Sequence, residues 1–211
     1  MPEGVELTLL PALQLEFFRQ APHASLASTG FDRSNIARLL SAGQIDAGID
    51  VGLPIGDPVR HLPLLRDDFC VVVRQRHPLV RSPTLKQYLA ARHVAVSGRA
   101  LGNVLEDSTL LRLGVQRHVS VRCQSYTAAR EIVAKSDLLL TVPSHLSQHA
   151  DARRQLQRWP PPFRLPGVSI HLYWNASNDS DAATKWLRTV LVEVVRAHWP
   201  DVASLDAGHA E

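Results

Sequence analysis

Apolar and polar positions alternate along this chain in two different periods. From Val5 to Gln20 the apolar residues Leu9, Leu10, Leu13, Phe17 and Phe18 recur at helical spacing, with Pro11 near the start or as a kink. Ala24–Thr29 (ASLAST) alternates with a period of two and predicts a strand. DRSNIARLLSAG offers Asp32 and Ser34 as caps, Ile36, Leu39 and Leu40 on one face, and Gly43 as terminator, so it predicts a helix. IDAGIDV follows as a short buried strand.

The same alternation continues downstream. Arg60–Arg74 reads as two strand pieces joined at Asp67-Asp68, then a proline-containing loop. Helices are predicted over 84–91 (capped by Ser82 or Thr84), 103–113 (ended by Gly114), 126–135 and just after Ser144. Strands are predicted over 93–97, 119–123 and 138–142. QRWPPPFRLPG, the most proline-dense segment, predicts a crossing between lobes, and Val168–Ser177 a last strand. Ser180–His198 carries the strongest helical stripe: Ala183, Trp186, Leu187, Val190, Leu191, Val194 and Val195.

A βα alternation of this kind predicts α/β architecture with a mostly parallel sheet covered by helices. A strand and helix return after the second run of elements, so the second lobe is inserted in the first. The expected division is 1–70 for the first part of lobe I, 71–162 for lobe II, 163–200 for the return into lobe I, and 201–211 as a polar tail. Such lobes form a hinged clamp whose ligands sit at strand carboxyl ends against helix N-termini.

Composition adds few constraints. With 211 residues the chain can bury a sizeable core, and 45% hydrophobic with 20% charged residues is ordinary for a globular protein. A net charge of +3 without a block of basic residues gives no reason to expect nucleic-acid contact. Cys70 and Cys123 lie in apolar strand-like runs and read as buried free thiols. MPEGVELTLL lacks the basic start of a signal peptide, and no apolar run approaches the roughly 20 residues that span a bilayer. A cytoplasmic location is expected.

Catalytic signatures are missing. There is no nucleophile elbow, P-loop or dinucleotide fingerprint. His145 and His149 share a helix face, but Leu146 stands where a metalloprotease needs Glu, so a chance pair is the better reading. Asp46 and Asp50, four apart in a strand, would stand about 13 Å from each other, too far to share one proton or flank one bond. No enzyme, metal or cofactor is expected.

Several segments together resemble the effector-binding domain of LysR-type transcriptional regulators, in the branch of nodulation and aromatic-catabolism regulators. LLSAGQIDAGIDVG is similar to that family's L-x-x-G-x-x-D-x-x-I signature. VELTLLPALQLEFFRQAPHASL resembles its first helix, A-P turn and next strand; LLRDDFCVVVRQRHPL its first crossing; SDLLLTVPSHL a strand and helix of the second lobe; HLYWNASNDSDAATKWLR the return strand and final helix. The likeness runs from about Val5 to Arg196.

The resemblance implies two Rossmann-like βα lobes joined by two crossings, a type II periplasmic-binding-protein-like clamp. It implies a small-molecule effector, a small carboxylate or aromatic acid, in the cleft between the lobes. Candidate contacts are Val5 and Glu6 at the first helix start, and Thr29 and Gly30 after the second strand. In the second lobe they are Ser97 and Gly98, Ser125 and Tyr126, and Thr141, Val142 and Pro143. Hydroxyls and free N–H groups at helix starts suit a carboxylate, and Glu6 departs from that pattern.

A homodimer or homotetramer is implied, paired through the first helix and the helix over 126–135. DNA contact belongs to an N-terminal winged helix-turn-helix domain, which this sequence does not contain. The family's regulatory domain also opens with a strand before the first helix, where only Met1–Gly4 stand here, so that central strand is expected to be missing or filled by something else, such as the tail Asp201–Glu211 or a neighbouring chain. The rival readings are a periplasmic-type solute receptor on the same fold, and an enzyme of tetrapyrrole synthesis needing an exposed cofactor-bearing cysteine.

Overall fold

The computed structural model describes residues 1–79, 82–97, 102–148 and 156–199. It is a mixed α/β chain whose contacts divide it into two compact units. Unit 1 comprises Met1–Asp67 and the chain from Val168 on, and unit 2 comprises Asp68–Gly167.

In unit 1, helix α1 (Glu3–Gln20) leads into an extended segment, a short 3-10 turn (Arg33–Asn35) and α2 (Ile36–Ser41). The Asp32 carboxylate accepts from the Ser34 N–H at 3.0 Å, the cap expected from the sequence. Gly43 adopts φ +63, a left-handed conformation that favours glycine, and ends the helical stretch. Strands β1 (Gly48–Val51), β2 (Val59–Asp67) and, after unit 2, β8 (Val168–Asn175) form a three-stranded sheet in the order β1-β8-β2. The chain closes with the long helix α7 (Ala182–His198), capped by Asp181, whose carboxylate accepts from Thr184 at 2.7 Å.

Helix α1 buries Val5, Leu9, Leu13 and Phe17, a stripe with i, i+4 spacing, and packs on α7. The Phe17 ring meets Trp186 at 5.1 Å between centroids, and the Trp186 indole N–H donates to the Gln20 side-chain oxygen at 2.7 Å. On another side of the unit, Ile36, Leu40, Val59 and Tyr173 form a second apolar cluster. The Tyr173 hydroxyl donates to the Val51 carbonyl and accepts from the Leu53 N–H, both at 2.8 Å, fixing the chain after β1.

Unit 2 holds a five-stranded sheet in the order β5-β4-β6-β3-β7, from β3 (Phe69–Arg74), β4 (Arg92–Val96), β5 (His118–Cys123), β6 (Leu139–Pro143) and β7 (Leu156–Trp159). Helices α3 (Leu85–Ala90), α4 (Leu105–Arg112), α5 (Tyr126–Ala134) and α6 (His145–Gln148) connect them. Thr84 and Gln87 close a reciprocal cap on α3. Two apolar clusters fill the unit: Val72, Val94, Ala129, Val133 and Leu140 in one, Val71, Val73, Tyr88, Leu110 and Leu139 in the other. Successive β3 residues enter opposite clusters, as strand alternation requires.

Three expectations are corrected. Ala24–Thr29 is not a strand; it runs mostly exposed and outside any sheet. The reason lies in the sheet beside it. Met1–Gly4 contribute no strand, α1 starting already at Glu3, and β1 pairs only with β8 among the described residues. A period-two pattern makes a strand only where a neighbouring backbone supplies the ladder. The sheets are also not mostly parallel. Only β4 runs parallel to its neighbours β5 and β6, while the other pairings are antiparallel. Finally, the proline-dense segment is not wholly a crossing: its first residues, Gln157–Trp159, complete β7, and Pro160–Gly167 follow outside any strand.

Candidate functional site

Within unit 2, the sequence-predicted positions converge along one edge of the parallel strands. Ser97 follows β4, Ser125 and Tyr126 follow β5, and Thr141, Val142 and Pro143 close β6; β4 lies between the other two and runs parallel to both. All therefore sit at strand carboxyl ends, where open α/β sheets bind ligands. The Ser97 N–H donates to the Cys123 carbonyl at 2.9 Å, which ties the first two termini together. The Ser125 hydroxyl caps α5 by accepting from the Ala128 N–H at 3.2 Å. Tyr126 is half-buried against the Val94–Val133 cluster. Gly98 lies outside the described residues.

Thr141 is buried, and its hydroxyl is 2.8 Å from the Tyr88 hydroxyl. Val142 is buried opposite Cys70, and Pro143 pairs with Phe69. These side chains set the β6 terminus from within rather than presenting hydroxyls outward.

Within unit 1, Val5 is buried, Glu6 is half-buried, and Thr29 and Gly30 are exposed. The start of α1 and the Thr29 loop meet: the Met1 backbone nitrogen donates to the Thr29 carbonyl at 2.7 Å. Burial lowers the pKa of that amine, and the nearby carboxylates of Glu6 and Asp50 act in the opposite direction. The Thr29 hydroxyl bonds the Gly30 carbonyl at 3.3 Å.

Sequence reasoning left Asp50 without a partner. The structure gives it one: Arg33 Nε lies 2.9 Å from each carboxylate oxygen, and the Val51 N–H donates to Oδ1 at 2.7 Å. Asp46 is exposed in the bend before β1 and takes no part. The arginine at the start of the 3-10 turn was the available signal, since a buried acid on a strand calls for a cation or backbone donors.

A second charged group also went unread. Arg117 is buried just before β5, with Nη2 2.9 Å from Glu106, Nε 2.6 Å from Asp107 and Nη1 3.2 Å from the Tyr88 hydroxyl. Burial works against the Arg117 cation, but Tyr88, Glu106 and Asp107 more than offset it and hold its pKa above the ordinary value. Burial pushes Glu106 up against the pull of Arg117, and pushes Tyr88 up too. The His93 ring lies tilted against Tyr88, 4.5 Å between centroids, and its pKa is lowered to about 4 by burial first and by Arg117 second. This is a fully packed network rather than an acid–base pair open to a substrate.

Among the described residues, no group of three or more His, Cys, Asp or Glu side chains could hold a metal, and no helix is long and apolar enough to cross a membrane. His145 is buried, and His149 lies outside the described residues. Cys70 and Cys123 form no disulfide; they lie on β3 and β5 with β4 and β6 between them, and Cys123 is only half-buried.

Comparison with known proteins agrees with this architecture. The profile of the LysR substrate binding domain matches residues 1–196. The HTH-type transcriptional activator NagR of Ralstonia sp is 26% identical over 190 residues, 90% of this chain and 63% of NagR, so the chain spans under two thirds of that relative. Among solved structures, PA0477 of Pseudomonas aeruginosa has a TM-score of 0.83 at 28% identity, covering 90% of this chain and 63% of that one. The regulatory domain of MexT, a transcriptional activator of Pseudomonas aeruginosa, has a TM-score of 0.80 at 24% identity, covering 92% of this chain and 96% of that one.

Proposed function

The chain belongs to the LysR substrate-binding domain family, and we propose that it senses a small carboxylate or aromatic acid on behalf of a transcriptional regulator. The observation that carries this reading is the convergence of Ser97, Ser125 and the β6 terminus at the carboxyl ends of three adjacent strands. Backbone N–H groups at such ends, with the dipole of α5 behind them, favour an anion. On unit 1 the proposed contacts are Val5 and Glu6 through the first turn of α1, and Thr29 and Gly30 in the exposed loop. On unit 2 they are Ser97, Gly98, Ser125 and Tyr126, with Thr141, Val142 and Pro143 as support.

Signalling follows from unequal binding. An effector that binds two states of the domain unequally shifts their equilibrium, and only by its difference in affinity between them. The intact regulator acts in the cytoplasm as a homodimer or homotetramer, paired through α1 and α5, and meets DNA through a separate N-terminal domain. The apolar side chains that α1 leaves exposed, Leu7, Leu15 and Phe18, fall on one face and support this pairing.

A thermal-shift screen of benzoate-like and short-chain carboxylates tests the reading. A ligand at 100 times its Kd stabilises by about 2.7 kcal/mol, a rise of several degrees. Thr29→Val and Ser125→Ala should diminish the rise. A complete panel that leaves the melting point unmoved would count against it.

A further inference from the structure

We propose that unit 2 carries a separate binding site for a small organic monocarboxylate, in the cavity between α4 and β5, with Arg122 as its anchor. The cavity has a volume of about 190 Å³. Leu110, Leu111 and Val119 give it apolar walls, and Asn103, Gln116 and Arg122 supply polar groups. None of these belongs to the effector contacts proposed above.

Three observations meet here. The first is a register shift in the β4–β5 pairing: His93 stands opposite Val119 but Val94 stands opposite Val121, so Ser120 is an extra residue on β5. Without it, Val119 and Arg122 would face opposite sides of the sheet. With it, both lie on the His93 side, toward α4. A bulge costs ladder hydrogen bonds and re-aims a side chain, and bulges recur beside functional sites.

The second observation is an unmet donor. Arg122 Nη1 is buried with no hydrogen-bond partner. A guanidinium cannot shed its proton to escape this cost, so a buried, unpaired donor on it calls for an acceptor.

The third is how the charged walls are engaged. Asp107 is the one acid among the described lining residues, and Arg117 takes it at 2.6 Å. Arg117 is in turn held by Glu106 at 2.9 Å. Arg117 is thus occupied by two acids, and Arg122, with Nη1 unpartnered, is the lining residue left to meet an acceptor. The planar fork of arginine matches a carboxylate with two parallel hydrogen bonds. The leucine and valine walls suit a short apolar body, and the volume lies below the roughly 300 Å³ at which drug-sized pockets begin.

The test uses the whole chain with ¹⁵N-labelled arginine, asparagine and glutamine, titrated with acetate, butyrate and benzoate, and with chloride at equal ionic strength. The expected result is saturable, single-site movement of the Arg122 Nε–H and of the Asn103 and Gln116 side-chain amides by at least one carboxylate, and none by chloride. Arg122→Gln should weaken that binding roughly tenfold or more, as loss of a charge-assisted pair does. Arg122→Lys, which keeps the charge without the fork, should fall between. Leu111→Phe, at a partly exposed position of α4, should block the site while Arg122 stays in place, and so carries the test if Arg122→Gln fails to fold. In a second, uniformly ¹⁵N-labelled sample, backbone amides of Thr29 and Ser125 report binding at the other site independently. Non-saturating shifts for all three carboxylates, or equal affinity in Arg122→Gln and Leu111→Phe, would overturn the proposal.

Discussion

Arg117 and Glu106 meet at 2.9 Å with side chains only 1% and 7% exposed, so each neutralises a charge that water does not reach. Removing one partner strands the other. Arg117→Met should destabilise the chain by about 3–5 kcal/mol, measured by urea denaturation. Replacing Glu106 with Leu in the same background should recover part of that loss. A loss below about 1 kcal/mol, the range of a surface pair, would mean that water screens the network.

His93 gives unit 2 a definite pH dependence. Its folded pKa is about 4 against an ordinary 6.5, so the unfolded chain takes up the proton first as pH falls. Stability is then lost progressively between pH 6.5 and pH 4, by up to about 3 kcal/mol, and not above that window. Denaturation at pH 7, 5.5 and 4.5 should show this slope in the wild type. His93→Gln should lack this component while keeping the carboxylate contributions.

Asp50 holds the end of β1. Its carboxylate serves both the Val51 N–H and Arg33. Asp50→Ala should cost about 1–3 kcal/mol, chiefly through the unmet backbone donor, because the Arg33 side chain is half exposed and finds water. Arg33→Ala should therefore cost clearly less than Asp50→Ala. Equal costs would show that the ion pair, not the backbone bond, dominates.

The exposed face of α1 tests the proposed pairing. Leu15 is 70% exposed and Phe18 42% exposed among the described residues. Leu15→Glu with Phe18→Ser should shift sedimentation from dimer to monomer without lowering the melting point of the monomer. Wild-type chain that sediments as a monomer at every concentration would remove the pairing through α1.

Much of the fold was legible because local rules act alone there. Asp32 and Thr84 are caps that the sequence offers, and both side chains accept backbone bonds; Ser125 and Asp181 do the same at helix starts that the pattern places within a residue or two. Gly43 and Gly114 end helices in left-handed conformations that their lack of a Cβ permits. Ala24–Thr29 misled because alternation describes one strand, whereas a sheet needs a partner, and among the described residues β1 pairs only with β8. The parallel expectation failed for the same reason, since strand direction is decided by neighbours distant in sequence.

The sites were less legible. Ser97, Ser125 and Thr141 could be placed at strand ends from local pattern, and unit 2 does bring those ends together. The Arg117 network and the Arg122 cavity were not visible, because a charged residue in sequence does not announce burial. Glu106-Asp107 reads as an ordinary acidic first turn of a helix, and only the packing of α4 on β5 turns it into the partner of Arg117.

The reading proposed for this domain is that it binds one carboxylate effector per chain. Isothermal titration of the tightest carboxylate from the screen, against the wild type, Thr29→Val, Ser125→Ala and the double variant, tests it most directly. The account predicts one site per chain and weaker binding in each single variant, by roughly threefold to tenfold, with the double variant weaker still. Unchanged affinity in both single variants, with saturable binding retained, would contradict it.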